Sequence, residues 1–250
     1  MATVEIWSVD LARVTASLLS LDAEHGLLAP EERDRASGLT LRVVTEERLA
    51  ATIALRLLLE RVAGPGLRGV PFTRNATGKP MLPDASCHFS LSHVDGWAVV
   101  ALSTAPVGVD VERLRTVAID PVRRGRIEAA AAAFAPASPR AVSSCGHRFL
   151  QAWTRLEALA KADGRGIGRL LTELGVLGAG RHAPAIDDGA LPATIALLTA
   201  AHATLDLDLG GDLIGAVAGA RGIYLNGPPR DLPAESGSLE EILRSSPESS

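Results

Sequence analysis

The amino-acid sequence predicts an α+β protein built of two similar halves. In each half a long helix precedes a hairpin whose second strand is continuously apolar, WAVVALS at 97–103 and LIGAVAGA at 213–220. Hydrophobic residues make up 47% of the 250 residues and charged residues 22%, which is a globular rather than a disordered composition. No sequence repeat is detectable, so the predicted duplication rests on the order of the elements alone.

The first half, residues 1–106, is predicted to contain three strands and two helices. Apolar and polar residues alternate at 4–9, which indicates a strand. Thr45 precedes two glutamates and favours a helix start, and the apolar residues that follow recur at helical spacing. Residues 74–84 are rich in turn formers and are predicted to lack regular structure. In chain order we predict a strand at 4–9, helices at 30–36 and 46–62, and a hairpin of strands 88–92 and 97–103.

The second half, residues 107–225, follows the same plan. We predict a strand at 107–112, helices at 121–134 and 147–162, and strands at 205–209 and 213–220. Pro, Ser and Gly dominate residues 226–250. We therefore expect a mostly disordered tail there, with a helical turn at 238–244.

Charge and composition exclude several classes of function. The formal net charge of −4 and pI of about 5.9 argue against general nucleic-acid binding. The two cysteines, Cys87 and Cys145, are far apart and form neither a zinc motif nor a disulfide framework. No apolar run approaches the ~20 residues of a membrane span, and residues 1–14 lack the pattern of a signal peptide. We expect a cytoplasmic protein.

Two carboxylates are predicted to share one face of the strand at 107–112. Side chains two residues apart in a strand point the same way, so Asp110 and Glu112 lie together while Val109 and Val111 face the other side. Like charges that close repel unless a cation lies between them. Oxygen ligands suit a hard ion such as Mg²⁺. The alternative is a solvated strand end.

The helix at 147–162 has a second polar group. A spacing of four residues places Trp153, Glu157 and Lys161 on one face, beside a core stripe. An ordinary Glu–Lys pair explains this spacing. The functional interpretation makes Glu157 a third carboxylate and Lys161 a partner for phosphate.

Two further segments are compatible with anion binding. His93 follows Ser92 at the end of a strand, beside a turn with free backbone N–H groups. Gly78, Lys79 and Pro80 lie in the loop before that hairpin, where glycine permits close approach of a ligand and proline stiffens the chain. Both segments have ordinary structural explanations.

Taken in order, four motifs resemble one family. GKP at 78–80, HFSLSH at 88–93, VGVDVE at 107–112 and WTRLEALAK at 153–161 resemble the surfactin-type 4′-phosphopantetheinyl transferases. The resemblance covers roughly residues 4–220. It implies a pseudo-dimer of two α+β halves with coenzyme A in the cleft between them. It also implies transfer of phosphopantetheine from coenzyme A to a serine of an acyl- or peptidyl-carrier protein, with release of adenosine 3′,5′-bisphosphate.

The resemblance implies a role for each motif. Asp110, Glu112 and Glu157 match the ligands of Mg²⁺, and Glu157 also matches the proposed general base. Lys161 matches the lysine that neutralises the diphosphate. The implied catalytic residues are Glu157, Lys161 and His93, and those implied for coenzyme A are Arg35, Arg48, Lys79, Pro80, Ser92, His93 and Lys161. On this basis the first half, residues 1–106, would bind the adenine and phosphate side of coenzyme A. The second half, residues 107–225, would contain the metal site and the catalytic helix.

Two positions depart from the family pattern. Leu156 stands where the family's helix has a lysine, and Ser90 replaces an asparagine. Arg155 lies about 100° away around the helix from residue 156, which leaves open whether it substitutes for the lysine.

The partner and the alternatives complete the prediction. Five arginines within fourteen residues, at 113, 115, 123, 124 and 126, form a local basic patch that would attract an acidic carrier protein. A solvated helix face explains the patch equally well. We expect a monomer that acts in secondary metabolite biosynthesis, with no nucleic-acid or membrane partner. The alternatives are a catalytically weakened coenzyme A-binding protein of the same fold and a purely structural interaction module.

Overall fold

A computed structural model describes residues 2–37, 42–84, 86–134, 145–177 and 193–245 of the chain. Its eight helices in these ranges are α1 (Leu11–His25), α2 (Pro30–Ser37), α3 (Arg42–Ala63), α4 (Pro121–Ala132), α5 (Cys145–Asp163), α6 (Ile167–Glu173), α7 (Ala193–Ala201) and α8 (Ser236–Arg244). The strands are β1 (Thr3–Asp10), β2 (Thr73–Arg74), β3 (Pro80–Met81), β4 (His88–Val94), β5 (Trp97–Ser103), β6 (Val107–Arg113), β7 (His202–Leu207), β8 (Leu213–Ala220), β9 (Tyr224–Leu225) and β10 (Arg230–Asp231).

Two main sheets organise the molecule, and the predicted α+β class is confirmed. The first has the order β10-β1-β5-β4, with β9 also paired to β1, and the second has the order β6-β8-β7. In each sheet the first strand along the chain pairs antiparallel with the third, which pairs antiparallel with the second: β1-β5-β4 in one sheet, β6-β8-β7 in the other. The shared topology agrees with the duplication predicted from element order. The pseudo-dimer itself stays a prediction.

Three apolar clusters hold these layers together. The first packs α1, α3 and α8 against one sheet, and the second packs α4, α5 and α6 against the other. A third cluster joins the sheets to each other through β1, β5, β6 and β8, with Ile6 and Val99 from the first sheet and Val109 and Val217 from the second. The inward-facing valines of β6 therefore serve the contact between sheets, which leaves its alternate residues for the other face.

Most predicted elements are present, and two local predictions need correction. Helix α1 lies where no element was predicted, although Leu11, Val14 and Leu18 have helical spacing and are buried. The stretch at 74–84 was predicted to lack regular structure, but β2 and β3 form a short antiparallel hairpin there. The turn residues do occupy the loop between these strands.

The predicted disorder is wrong for residues 226–245, whereas the helical turn predicted at 238–244 corresponds to α8. Strand β10 pairs in parallel with β1, and α8 buries Leu239 and Leu243 in the first core. Apolar residues at helical spacing in α8 outweigh the high Pro, Ser and Gly content of the segment. Residues 246–250 lie outside the described part of the chain. None of the described helices has the length and apolar character needed to cross a bilayer.

Candidate functional site

Helix α5 lies directly on strand β6, because β6 has a glycine at the crossing point. A Cβ atom at Gly108 would be only 2.0 Å from the carbonyl oxygen of Ala158 and 2.4 Å from the nitrogen of Ala162. The absence of a side chain lets the two backbones approach this closely. The polar face of α5 is thereby brought beside the carboxylate face of β6.

Lys161 of α5 and Asp110 of β6 form an ion pair at this crossing. The Lys161 ammonium donates to Asp110 Oδ1 at 2.8 Å and to the carbonyl oxygen of Val109 at 3.0 Å. The hydroxyl of Ser92, on β4, donates to the same Asp110 oxygen at 2.8 Å. Helix α5 and one strand of each sheet, β4 and β6, therefore meet at one buried carboxylate.

Serine side chains bridge the two sheets at this point. Strand β6 pairs with β8 along one edge, and its other edge faces β4. The amide of Val109 donates to Ser90 Oγ at 3.0 Å, and the amide of Val111 lies 3.4 Å from Ser92 Oγ. The serine hydroxyls thus take the place of a neighbouring strand's carbonyl groups and satisfy a strand edge that would otherwise lack partners.

The lysines satisfy carbonyl groups along the same edge. Lys161 donates to Val109, as described above, and Lys79 donates to the carbonyl oxygen of Val107 at 2.8 Å. Lys79 and Lys161 are the two lysines of the chain. An ammonium has three donors, so each lysine keeps donor capacity beyond these bonds for an anionic ligand.

A cavity of about 490 Å³ opens above this edge, between residues of both halves. Its walls come from α2, α3, the β2–β3 hairpin, β4 and α5. Its charged lining residues are Glu32, Arg35, Arg48, Arg74, Lys79, Glu157 and Lys161, together with His93. Apolar lining residues include Leu49, Leu55, Phe72 and Phe89. A cavity with five cationic side chains and an apolar wall suits a ligand that is both polyanionic and partly apolar.

Burial changes the protonation of two groups in the cavity. It lowers the pKa of Lys79 to about 8, and the nearby Asp163 only partly opposes this. It also lowers the pKa of His93, and the positive charges of Arg48 and Lys161 act in the same direction. The imidazole of His93 is therefore neutral at pH 7 and can donate one hydrogen bond and accept another.

Glu157 is electrostatically coupled to both strand carboxylates. Burial, with the negative charges of Asp110 and Glu112, raises the pKa of Glu157 to about 7 against the opposing effect of Lys161. Burial and neighbouring negative charges both disfavour the ionised form of a carboxyl group. The oxygen donor set and its mutual repulsion fit a hard divalent ion such as Mg²⁺.

The carboxylates are nevertheless engaged by cations of the protein. Lys161 pairs with Asp110, and Arg115 lies 3.0 Å from Glu112 Oε2. Within the part of the chain that the structure describes, no three Asp, Glu, His or Cys side chains are grouped as in a metal site. Gathering Asp110, Glu112 and Glu157 around one ion would therefore require side-chain rearrangement, and the metal assignment stays a prediction.

Most of the predicted site residues lie together. Seven of them line the cavity: Arg35, Arg48, Lys79, Pro80, His93, Glu157 and Lys161. Ser92 and Asp110 are buried beneath the lining, where each contacts the other, and Glu112 contacts Arg115. Among the other lining residues, the sequence assigned no role to Phe72, Arg74, Thr77 or Ser90. Three of these lie close to the GKP motif, so that motif was the available signal.

The departures from the family pattern have a structural explanation. Leu156 is fully buried in the core of the second half. Arg155 makes two hydrogen bonds to Asp206 of β7, at 2.8 and 2.7 Å, and this pair is largely buried. Arg155 thus attaches α5 to the second sheet and does not substitute for the missing lysine at the cavity.

Some arginines of the predicted basic patch make contacts within the protein, and others are exposed to solvent. Arg113 forms an ion pair with Asp212, and Arg124 donates to the carbonyl oxygen of Val117 and lies over the ring of Phe149. Arg123 is exposed at the start of α4. The neighbouring apolar side chains Leu114 and Val122 are exposed as well.

Comparison with curated proteins identifies relatives of the chain, although no family model matches it. It is 31% identical over 119 residues to the 4′-phosphopantetheinyl transferase gsp of Aneurinibacillus migulanus, covering 48% of each chain. It is 21% identical over 152 residues to the 4′-phosphopantetheinyl transferase Sfp of Bacillus subtilis, covering 60% of this chain and 66% of the relative. It is 25% identical over 138 residues to the enzyme psf-1 of Bacillus pumilus, covering 55% and 58%.

The chain is similar to these 4′-phosphopantetheinyl transferases over the matched segments. The resemblance inferred from the four motifs is thereby confirmed. The matched segments span less than two thirds of the length of each of these transferases.

Proposed function

We propose that the chain is a 4′-phosphopantetheinyl transferase that modifies a serine of an acyl- or peptidyl-carrier protein. The observation that carries the proposal is the cavity, where Lys79, Lys161 and three arginines lie beside the coupled carboxylate Glu157. Coenzyme A has a diphosphate, a 3′-phosphate and a pantetheine arm whose methyl and methylene groups are apolar. Its chemistry matches a cavity with many cations and an apolar wall.

The reaction is a displacement at phosphorus. The serine oxygen of the carrier forms a bond to the phosphorus that bears the pantetheine. The bond from that phosphorus to the bridging oxygen breaks, and adenosine 3′,5′-bisphosphate leaves with the electron pair. The serine proton passes to Glu157, directly or through water. Positioning and neutralisation of charge supply most of the rate enhancement in such a transfer.

Each cation of the cavity has a role in this proposal. Lys161 and the neutral His93 bind the diphosphate, where Lys161 offsets charge that develops on the leaving group. Arg35 and Arg48 hold the 3′-phosphate, and Lys79 with Pro80 faces the adenine side. Ser92 positions Asp110 through its hydrogen bond. One chain contains both walls of the cleft, so we propose that a monomer is sufficient for activity. We also propose that it acts in the cytoplasm.

A divalent cation completes the proposed site. Asp110, Glu112 and Glu157 would hold Mg²⁺, and the effect of the Asp110 and Glu112 charges on Glu157 supports this set. When bound, the ion supplies positive charge to the diphosphate. Lys161 and Arg115, which now pair with Asp110 and Glu112, would then be released to other partners.

The exposed surface after β6 is the proposed docking site for the carrier. Arg123 offers a positive charge, and Leu114 and Val122 offer exposed apolar contacts. Carrier proteins of this kind are acidic, so complementary charge would steer the encounter. We propose that the carrier belongs to secondary metabolite biosynthesis. Carriers from different pathways would be compared in the assay.

A second candidate is a coenzyme A-binding protein with little catalytic activity. The buried Leu156 and the commitment of Arg155 to Asp206 favour it, because both leave the site with one cation fewer than the family pattern. Against it, the four charged residues Asp110, Glu112, Glu157 and Lys161 are all retained.

One assay separates these proposals. The chain is incubated with coenzyme A, Mg²⁺ and an apo carrier protein, and the carrier is weighed by mass spectrometry. A gain equal to phosphopantetheine supports the transferase. Binding of coenzyme A without a gain, across fatty-acid, polyketide and peptide carriers, supports the second candidate. If coenzyme A fails to bind, both are refuted and a structural interaction module is favoured.

The variant Asp110→Asn tests the metal assignment. Asparagine keeps the volume and an acceptor for Ser92 but removes the charge, so we expect turnover to fall by at least ~100-fold. Mg²⁺ should raise the unfolding temperature of the wild type and not that of Asp110→Asn. The matched control Asp231→Asn removes an exposed carboxylate in β10 and should keep both properties. Normal turnover of Asp110→Asn would overturn the assignment.

A further inference from the structure

One buried arginine stands behind the cavity without lining it. Arg56, in the middle of α3, is only 2% exposed. Helix α3 also contributes Arg48, Leu49 and Leu55 to the cavity wall. A buried guanidinium is costly unless it is paired with a charge and hydrogen-bonded, so its contacts indicate what it holds in place.

The first partner of Arg56 is Glu32 of helix α2. Arg56 Nε lies 3.1 and 3.3 Å from the two carboxylate oxygens, and Nη2 lies 2.9 Å from Oε2. Glu32 also accepts a hydrogen bond from the amide of Ala29, which precedes α2, at 2.8 Å. The position of α2 is thus tied to α3 through one side chain. Helix α2 carries Arg35 into the cavity.

The other partners of Arg56 fix the opposite part of the wall. Nη1 donates to the carbonyl oxygen of Leu67 at 3.1 Å, at the end of the 3₁₀ turn Pro65–Leu67. The guanidinium carbon lies 3.8 Å from the centre of the Phe72 ring. Phe72 in turn contacts Phe89 of β4, with ring centres 4.8 Å apart. Both rings line the cavity.

We propose that Arg56 is a positioning residue that sets the cavity's selectivity for its ligand, by holding Arg35 on one side and Phe72 on the other. This inference rests on the proposed function, since it concerns the coenzyme A site. Lysine cannot replace Arg56, because an ammonium has no plane to lie over a ring and cannot reach Glu32, Leu67 and Phe72 from one rigid group.

The test measures binding rather than activity alone. Dissociation constants of coenzyme A and of 3′-dephospho-coenzyme A are measured by calorimetry for the wild type, Arg56→Lys, Arg35→Ala and the double variant. We expect Arg56→Lys to bind coenzyme A about tenfold more weakly, since small displacements of binding groups are costly. Its turnover at saturating coenzyme A should stay close to that of the wild type.

Selectivity distinguishes positioning from general destabilisation. If Arg56 acts through Arg35, Arg56→Lys lowers the preference for coenzyme A over the dephosphorylated form. In the Arg35→Ala background the same substitution should then change that preference no further. A change of preference by Arg56→Lys that persists in full without Arg35 would overturn the inference.

The chain offers a matched control on the same helix. Glu60, one turn after Arg56, is 1% exposed and pairs with Arg68, whose Nε lies 2.9 Å from both carboxylate oxygens. Neither residue lines the cavity. Glu60→Gln should lower the unfolding temperature and leave both dissociation constants unchanged.

A second variant covers failure of Arg56→Lys to fold. Glu32→Gln preserves volume and hydrogen-bonding groups but removes the charge that orients the guanidinium, and should weaken coenzyme A binding in the same direction. If Arg56→Lys folds and binds coenzyme A like the wild type, the role of Arg56 is refuted. If Arg56→Lys does not fold, wild-type binding by folded Glu32→Gln refutes it. Failure of the wild type to bind coenzyme A would instead refute the proposed function.

Discussion

At the scale of single residues, the unusual environment of Lys79 gives a measurable property. Its side chain is half-buried between the cavity and β6, and its ammonium donates to the carbonyl oxygen of Val107. Burial lowers the pKa of Lys79 to about 8, whereas an unperturbed lysine has a pKa near 10.4. Between these values the folded chain holds a neutral amine at residue 79, and the unfolded chain holds an ammonium.

We therefore predict that Lys79 reacts with an amine-selective acylating reagent at unusually low pH. The reactive form is the free amine, so the labelling rate should rise with pH and reach half its maximum near pH 8. Peptide mass spectrometry resolves the site, since the chain has two lysines. The chain unfolded in guanidinium is the control, with a midpoint near that of free lysine. A folded-state midpoint at or above 10 would contradict the prediction.

Periodicity predicted which residues share a face but not which residues they contact. Alternation in a strand placed Asp110 with Glu112, and helical spacing placed Glu157 with Lys161, as the structure has them. The hydrogen bond from Ser92 to Asp110 and the pairing of Arg155 with Asp206 join residues that are far apart in the chain. Such contacts depend on tertiary packing, which local patterns do not encode.

At the scale of elements, the C-terminal segment is part of the fold. Leu239 of α8 is fully buried in the first core, and the preceding strand β10 extends the first sheet. Composition predicted disorder for most of this segment, because Pro, Ser and Gly outnumber the few leucines there, and only the helical turn at 238–244 was predicted. The spacing of Leu239, Ile242 and Leu243 was the informative signal, and it depends on three residues only.

We predict that Leu239→Ala destabilises the whole chain. Loss of a fully buried leucine side chain costs about 2–5 kcal/mol of unfolding free energy, from lost burial and the cavity that remains. Urea denaturation followed by circular dichroism measures this. Leu197→Ala, in helix α7, is the matched control: Leu197 is 72% exposed, so its loss should have little effect. Equal, small effects of both substitutions would show that α8 contributes nothing to stability.

Prediction of elements from the sequence succeeded where the hydrophobic pattern is long. It failed for the two-residue strands and for helix α1. The helix at 147–162 and the hairpin at 88–103 match α5 and β4–β5 closely. Strands β2, β3, β9 and β10 have two residues each, which is too short for any periodicity to register. Helix α1 has apolar residues at helical spacing, although the prediction does not include it.

At the scale of the whole molecule, the site depends on how the two sheets meet. Apolar residues of β1, β5, β6 and β8 pack between the sheets, and side chains rather than a strand ladder satisfy the outer edge of β6. Lys79 and Lys161 therefore satisfy carbonyl groups of β6 and also line the cavity. The order of the elements predicted two similar halves. It contained no information on how closely their elements approach, and within the second half Gly108 sets the distance between α5 and β6.

The distribution of charge over the molecule gives the last prediction. The chain is acidic overall, with a formal net charge of −4, yet Arg123 is exposed at the start of α4 between Val122 and Arg124. Arg124 is committed to Val117 and Phe149, so reversing its charge would disturb packing as well as any encounter. Arg123→Glu is therefore the cleaner test of carrier docking.

We expect Arg123→Glu to slow modification of an acidic carrier by about tenfold at low salt, through a slower encounter rather than slower chemistry. The rate of the wild type should fall as salt increases, and that of the variant should change much less, since salt screens an attraction that the variant lacks. Arg13→Glu, on the exposed face of α1, makes the same change in net charge and is the control. If both variants slow modification equally, net charge and not a local docking surface governs the encounter.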